Sequence, residues 1–337
     1  MPALAFVVFE EEKGNDNPGL IAKSGLLKTY IGTAMFHLFN RNKFRNGIHE
    51  FKIDMETDTS ILAIRLPFPI SLLSSYNRQY IERYILKVYT ARDCLRCFVP
   101  AAYGGLGGHE QYSVDKSIQT IIFKALLLPV LEEIYLKCGI RLDNLDTVFV
   151  NGENTVELKT MVRQLEPFVR YVNVAASDKE AVESELSDIC MDSGISIIVS
   201  SDFKSILRNA DLIINLGEIA AISKFRIKTE SVVIYFSSWP STAVQGEYTF
   251  LSGVEYTFPE SQYKIFGEDI FRNFGKAELT EILLAIKAGL LNGGIYNEAT
   301  TAKILGIFKK NCCRITGLHG RRGILKLENV VKAVHLY

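Results

Sequence analysis

Apolar residues recur along this chain with two periods, and the switches between them mark out its elements. Ala5 to Phe9 is a continuous apolar run, and Glu50-Phe51-Lys52-Ile53-Asp54-Met55 alternates with period two, which predicts a half-buried strand. A helix is expected around Leu26 to Leu38. Tyr80, Ile81, Tyr84, Ile85 and Val88 fall at helical spacing among Arg78, Arg83 and Lys87, predicting an amphipathic helix up to about Arg92 that ends near Cys94. Pro100 and the cluster Gly104-Gly105-Leu106-Gly107-Gly108 make Val99 to Gly108 a loop. From Val114 to Lys137, the residues Ile118, Ile121, Ile122, Ala125, Leu128, Leu131 and Ile134 trace a mostly buried helix, with Pro129 as a kink and Gly139 as its stop.

Beyond this helix, short β-branched runs alternate with helical patterns. Strands are expected at Asp146 to Val150, Tyr171 to Ala175, Ile195 to Val199, Asp211 to Leu216 and Ser231 to Phe236. Helices are expected at Thr155 to Glu166, Lys179 to Met191 and Phe203 to Arg208. Repeated βαβ units require crossover connections, and these build a parallel sheet with helices on both faces. The fold class is therefore α/β with a Rossmann-like parallel sheet. After Phe258 the chain returns to helices, one carrying Leu279, Ile282, Leu283, Ile286 and Leu290 and one from about Glu298 to Lys309. Three regions result: an N-terminal α/β domain at 1–140, a Rossmann-like domain at 141–262 and a helical segment at 263–337 that packs across both.

Composition narrows the class. The 337 residues exceed one domain of roughly 150, and 48% hydrophobic with 23% charged residues is the balance of a globular protein. Thirty-eight basic side chains offset 38 acidic ones, so no overall field draws the chain to nucleic acid or an anionic membrane. The apolar stretches Ile61 to Leu73 and Ile118 to Leu136 are broken by charges and prolines, and neither spans a bilayer. The start, Met1-Pro2-Ala3-Leu4 running into Glu10-Glu11-Glu12, has no basic leader or cleavage site. Six cysteines without export signals then point to reduced thiols and a cytoplasmic protein.

Three segments carry a resemblance. Leu136-Lys137-Cys138-Gly139-Ile140-Arg141-Leu142-Asp143 looks like a helix end leading into a first Rossmann strand. Ile206-Leu207-Arg208-Asn209-Ala210-Asp211-Leu212-Ile213-Ile214 looks like the approach to a fourth, and Glu278-Leu279-Thr280-Glu281-Ile282-Leu283-Leu284-Ala285 like a closing helix. In this order they resemble the two-domain Rossmann reductases typified by shikimate dehydrogenase and, closer in length and tail, the long-chain acyl-ACP reductases. The resemblance implies a dinucleotide, NAD or NADP, on the first βα turn and a ligand cleft between the domains.

The turn departs from that pattern. A pyrophosphate is cradled on glycines because only they let backbone N–H groups approach it at the helix N-terminus. Here Val150-Asn151-Gly152-Glu153-Asn154-Thr155-Val156-Glu157 has one glycine, and Glu153 and Glu157 bring negative charge. A carboxylate such as Glu153 can serve as the helix's own anion. Asn151, Gly152 and Asn154 are the turn's candidate cofactor contacts. Ser177 and Asp178 join them, Asp178 standing about 26 residues beyond Gly152, where an acid holds the ribose of NAD. Gly217 and Glu218, ending a later strand, and Trp239-Pro240 mark the same sheet edge. No cysteine aligns with the acyl-ACP reductase nucleophile.

The glycine loop runs into His109-Glu110-Gln111-Tyr112, with Asp115 and Lys116 at the next helix start. His109 is the candidate acid or base, and Glu110 or Lys116 the group that polarises a substrate. The bland reading is a surface turn. Cys94-Leu95-Arg96-Cys97 reads as two partly buried thiols at a helix end, with a redox pair or half a zinc site completed by Cys312 and Cys313 as the alternative; no metal is assigned. Arg314, Arg321, Arg322 and Lys326 among Gly317, Gly320 and Gly323 form a basic turn, either solvated or an anion or acyl-carrier contact. Two functions follow. One is an oxidoreductase acting on a small molecule with NAD or NADP bound atypically. The other is a Rossmann-derived scaffold or binding subunit without a dinucleotide, acting as a homodimer or with an acyl carrier or enzyme partner.

Overall fold

The computed structural model describes residues 3–9, 48–52, 60–66, 75–91, 94–100, 114–152, 154–217, 220–236, 248–321 and 323–330. The chain divides into two compact units, 1–115 with 259–292 and 116–258 with 293–337. This division differs from the expected boundaries at 140 and 262. The long helical stretch after Val114 goes with the larger sheet because Lys124 and Ala125 bond to side chains of the Thr155–Leu165 helix.

In the first unit, β1 (Ala3–Phe9), β2 (Ile48–Lys52), β3 (Ser60–Leu66) and β4 (Cys94–Phe98) form a sheet in the order β2-β3-β1-β4. β1 lies parallel to β3 and β4, and β2 runs antiparallel to β3. Both faces of β1 are buried, which its continuous apolar run foretells. Ala5, Val7 and Phe9 pack under Ile81, Ile85 and Val88 of the Ser75–Ala91 helix. On the other face Phe6 meets Phe98, Phe266 and Phe274 at ring-centroid distances of 5.0, 5.6 and 5.3 Å. The Lys276–Ala288 helix, expected from its apolar spacing, belongs to this unit.

Cys94 and Cys97 lie on this sheet and not at a helix end. The β1–β4 register shifts between Ala3 and Leu4, so that Ala3 faces Cys94 and Ala5 faces Cys97. This bulge returns the two cysteines, three apart in sequence, to one face of the strand. Both are buried there, and burial, with Cys94 beside it, pushes the Cys97 thiol far above its usual range. Such a thiol stays protonated and unreactive.

In the second unit, β5 (Thr147–Val150), β6 (Tyr171–Ala175), β7 (Ser196–Ser200), β8 (Leu212–Asn215), β9 (Val232–Tyr235) and β10 (Thr249–Leu251) form one sheet, ordered β10-β9-β8-β5-β6-β7. Every pairing is parallel. Counted from β5 this is the order 3-2-1-4-5-6 of a Rossmann fold, with its reversal between β5 and β8. β5, β8 and β9 are buried along their whole length. A separate antiparallel sheet joins β11 (Gly253–Thr257), β12 (Arg314–Gly320) and β13 (Gly323–Lys326). The basic segment is thus a hairpin, and its Arg321 guanidinium lies 4.5 Å from the Tyr248 ring centroid.

The helix expected from Val114 is two helices, Lys116–Ala125 and Leu127–Tyr135, broken at Leu126. Pro129 is the cause. It has no N–H to give to the carbonyl of Ala125 four residues earlier, and Gln164 Nε2 donates to that oxygen instead, at 2.9 Å. Gln164 Oε1 in turn accepts from the Tyr296 hydroxyl at 3.1 Å. Gly139 ends the segment in the left-handed conformation, φ 70°, as its position implies. Among the described residues no helix is long and apolar enough to cross a membrane.

Candidate functional site

In open parallel sheets, ligands bind beyond the carboxyl ends of the strands where the strand order reverses. Here that place lies at the segments leaving β5 and β8. Asn151 and Gly152 follow β5, Ser177 and Asp178 follow β6, and Gly217 follows β8, so these expected residues do share one edge. Asn151 N donates to Ala175 O at 2.9 Å, and Leu216 N to Val150 O at 3.0 Å, which extends the ladder past the strand ends. Gly217 N donates to Oδ1 of Asn215, a fully buried side chain.

The two segments are pressed together. A Cβ on Gly152 would stand 2.5 Å from the Leu216 oxygen, and one on Gly217 would stand 3.0 Å from the Asn151 oxygen. Gly152 is therefore required by the approach of one loop to the other, with or without a phosphate. In a G-x-G-x-x-G turn the second glycine opens the backbone to the pyrophosphate and the third lets the helix approach the strand. Counting from Gly152, those places hold Asn154 and Glu157.

Both are engaged locally. Asn154 caps the Thr155–Leu165 helix, its side chain accepting from Glu157 N at 3.3 Å. The Glu157 carboxylate pairs with Lys124 Nζ at 2.5 Å. Lys124 projects from the Lys116–Ala125 helix and is only 7% exposed. Its ammonium also lies 5.5 Å from the Tyr296 ring centroid and 5.8 Å from that of Phe236, just after β9. The helix therefore has a protein carboxylate in its first turn, held by a buried cation. Burial pushes the Tyr296 hydroxyl well above its usual range, so it stays neutral beside Lys124.

The next two βα units repeat the device. Asp178 caps the Lys179–Ser193 helix by accepting from Ala181 N at 3.0 Å, and Asp202 caps the Phe203–Arg208 helix by accepting from Ser205 N at 3.2 Å. The Ser205 N–H holds the Asp202 carboxyl below the usual carboxylate range. Asn154, Asp178 and Asp202 thus each satisfy one of the helix-start N–H donors that an anion at this edge would use.

A pyrophosphate does not fit these residues. The Asn154 cap takes the Glu157 N–H, the Lys124-bound carboxylate brings negative charge to the helix's first turn, and neither side chain leaves the open approach that glycine gives.

Of the other expected residues, Lys116 is exposed at the first turn of its helix. His109, Glu110, Glu153, Glu218, Trp239 and Pro240 lie outside the described residues, as do the glycine loop and the helix expected at Leu26 to Leu38. Lys124, Gln164 and Tyr296 were not among the expected site residues. Lys124 carried a signal: it stands three residues after Ile121 and four before Leu128, a charge on an apolar stripe.

No protein-family model matches the sequence, and a search of curated proteins gives no match. Solved structures do align. An L-tryptophan dehydrogenase from Nostoc punctiforme is 10% identical, with 92% of this chain and 89% of that one covered and a TM-score of 0.29. A quinate dehydrogenase from Corynebacterium glutamicum in complex with NAD is 10% identical over 90% of this chain and 99% of that one, TM-score 0.31. A shikimate dehydrogenase in complex with NADP+ is 11% identical over 99% and 94%, TM-score 0.28. The Rossmann assignment rests on the strand order of the sheet itself.

Proposed function

We propose that this chain is a Rossmann-derived binding subunit or scaffold, whose six-stranded unit has given up dinucleotide binding and works through protein contacts. The observation that carries this reading is the Lys124–Glu157 pair at the first turn of the Thr155–Leu165 helix, where a phosphate would otherwise be the helix's anion. A purified homodimer by light scattering, with no oxidation of NADH or NADPH on small carbonyl acids or acyl thioesters, is the expected result. Turnover proportional to protein concentration would overturn it.

The other reading is an oxidoreductase that takes NAD or NADP atypically, with a small-molecule substrate and with His109, Glu110 and Lys116 at the chemistry. One observation favours it: the Asp178 carboxylate is exposed at the end of β6, the position of a ribose-binding acid, even though it caps its own helix. The two readings also part on dinucleotide affinity.

A further inference from the structure

The Glu298–Lys310 helix ends in a double-bonded left-handed turn. Cys312 N donates to Lys309 O at 3.1 Å and Cys313 N to Phe308 O at 3.0 Å. The left-handed position of such a turn ordinarily holds glycine, because a Cβ there crowds the following carbonyl. Here it holds Cys312, at φ 53°, and no other non-glycine residue among the described ones has a positive φ. Cys312 is exposed, Cys313 is half-buried, and neither is in a disulfide.

We propose that Cys312 and Cys313 form a vicinal dithiol site for a trivalent, thiol-seeking metalloid, with trivalent arsenic as the ligand class. Three observations choose this occupant. Neighbouring Cα atoms across a trans peptide lie about 3.8 Å apart, short of the roughly 4.4–6.8 Å that a relaxed disulfide spans, so the pair resists closing on itself. A centre that bonds both sulfurs widens the ring and removes that conflict. Lys309, Lys310 and Arg314 flank the pair and disfavour a bare divalent cation. Among the described residues no group of three or more His, Cys, Asp or Glu is placed to complete a metal site. A neutral arsenic(III) centre needs only the two thiols.

With an arsenoxide the step balances. Each thiol gives its proton to the arsenic-bound oxygen, two As–S bonds form, the As–O bonds break and one water leaves. Arsenic stays trivalent and neither sulfur is oxidised.

Phenylarsine oxide on the full chain is the probe, read by intact-mass spectrometry. One phenylarsenic group per chain is expected, retained against excess 2-mercaptoethanol and released by dithiothreitol. It should be lost in C312S and in C313S, and kept in C138S, in C190S and in the double variant C94S/C97S, whose thiols are buried in the first unit. Far-ultraviolet circular dichroism on each variant confirms that it is folded. Undiminished uptake in folded C312S or C313S overturns the proposal, and so does the absence of an adduct on the wild-type chain.

Discussion

Removing the Glu157 carboxylate while keeping its shape, as in Glu157→Gln, leaves the Lys124 ammonium facing two aromatic rings without an anion. The Lys124 side chain is 9% exposed and that of Glu157 28%. Stripping one partner from a fully buried pair costs about 3–5 kcal/mol. The wetter carboxylate and the remaining ring contacts bring the expected cost of Glu157→Gln to about 2.5 kcal/mol. Lys124→Met keeps an apolar stem packed and leaves a partly hydrated carboxylate that the helix N-terminus still favours, so it costs less, about 1.5 kcal/mol. The double variant leaves no orphaned charge, so it should cost no more than Glu157→Gln alone, and the coupling is taken at that bound. The resulting coupling is about 1.5 kcal/mol, above the roughly 0.2–1 kcal/mol of exposed pairs. Urea unfolding of the four proteins in one buffer measures it, with a repeat at high salt, which should lower the coupling only slightly. A coupling under about 0.5 kcal/mol would show the pair to behave as an exposed one, against the burial of Lys124.

Other consequences can be checked in the same unfolding assay. Gly152→Ala drives a methyl group against the Leu216 carbonyl and should cost about 3 kcal/mol, whereas Gly217→Ala, with a looser 3.0 Å approach, should cost about 1 kcal/mol; equal costs would mean the two segments separate easily. Gln164→Leu leaves the Ala125 carbonyl without its donor and should cost about 2 kcal/mol, part of which Pro129→Ala in the same chain recovers by supplying the missing N–H. Asp146 gives a pH signature. Burial raises its carboxyl above the usual 3.8, against the opposing hydrogen bond from Asn173. A folded-state pKa above the unfolded one means stability that is full below pH 3.8 and lost as pH climbs through the folded value. Asp146→Asn escapes that loss, so its stability relative to wild type should rise with pH across this window, and a flat difference would contradict the assignment.

The Rossmann unit was legible because its central strands are buried on both faces and read as short runs rich in β-branched and other apolar residues, such as Thr147–Val150 and Leu212–Asn215. The caps at Asn154, Asp178 and Asp202 fell where the helical patterns begin. The β11–β12–β13 sheet was not legible. Gly317 and Gly320 interrupt the alternation of β12, and their place in the strand comes from close packing against Ile324 and Leu325, partners that only the hairpin brings near. Cys94 and Cys97 were misplaced because the strand follows the Ser75–Ala91 helix almost at once, and the bulge that aligns them depends on the register with β1.

For the candidate site, the loss of two motif glycines was visible in sequence, and Glu157 could be named as an added negative charge. Its partner could not. Lys124 lies 33 residues away on a helix whose apolar pattern says only that its face is buried, and the kink at Pro129 with its Gln164 substitute donor is likewise a long-range fact. The sequence therefore showed a turn with one glycine and added carboxylates, while the structure shows that Glu157 of this turn is held by Lys124.

A scaffold that has given up the pyrophosphate seat should have no affinity for a dinucleotide. Titrating the purified wild-type chain with NADH and NADPH, and following energy transfer from Trp239, its single tryptophan, to the nicotinamide, reads that affinity without assuming a substrate. Isothermal calorimetry on the same samples registers binding that does not reach the tryptophan. No saturable signal is expected up to millimolar nucleotide. Saturable binding of either nucleotide at micromolar concentration would contradict the scaffold reading, since the Lys124–Glu157 pair and the Asn154 cap would then have to give way to a pyrophosphate.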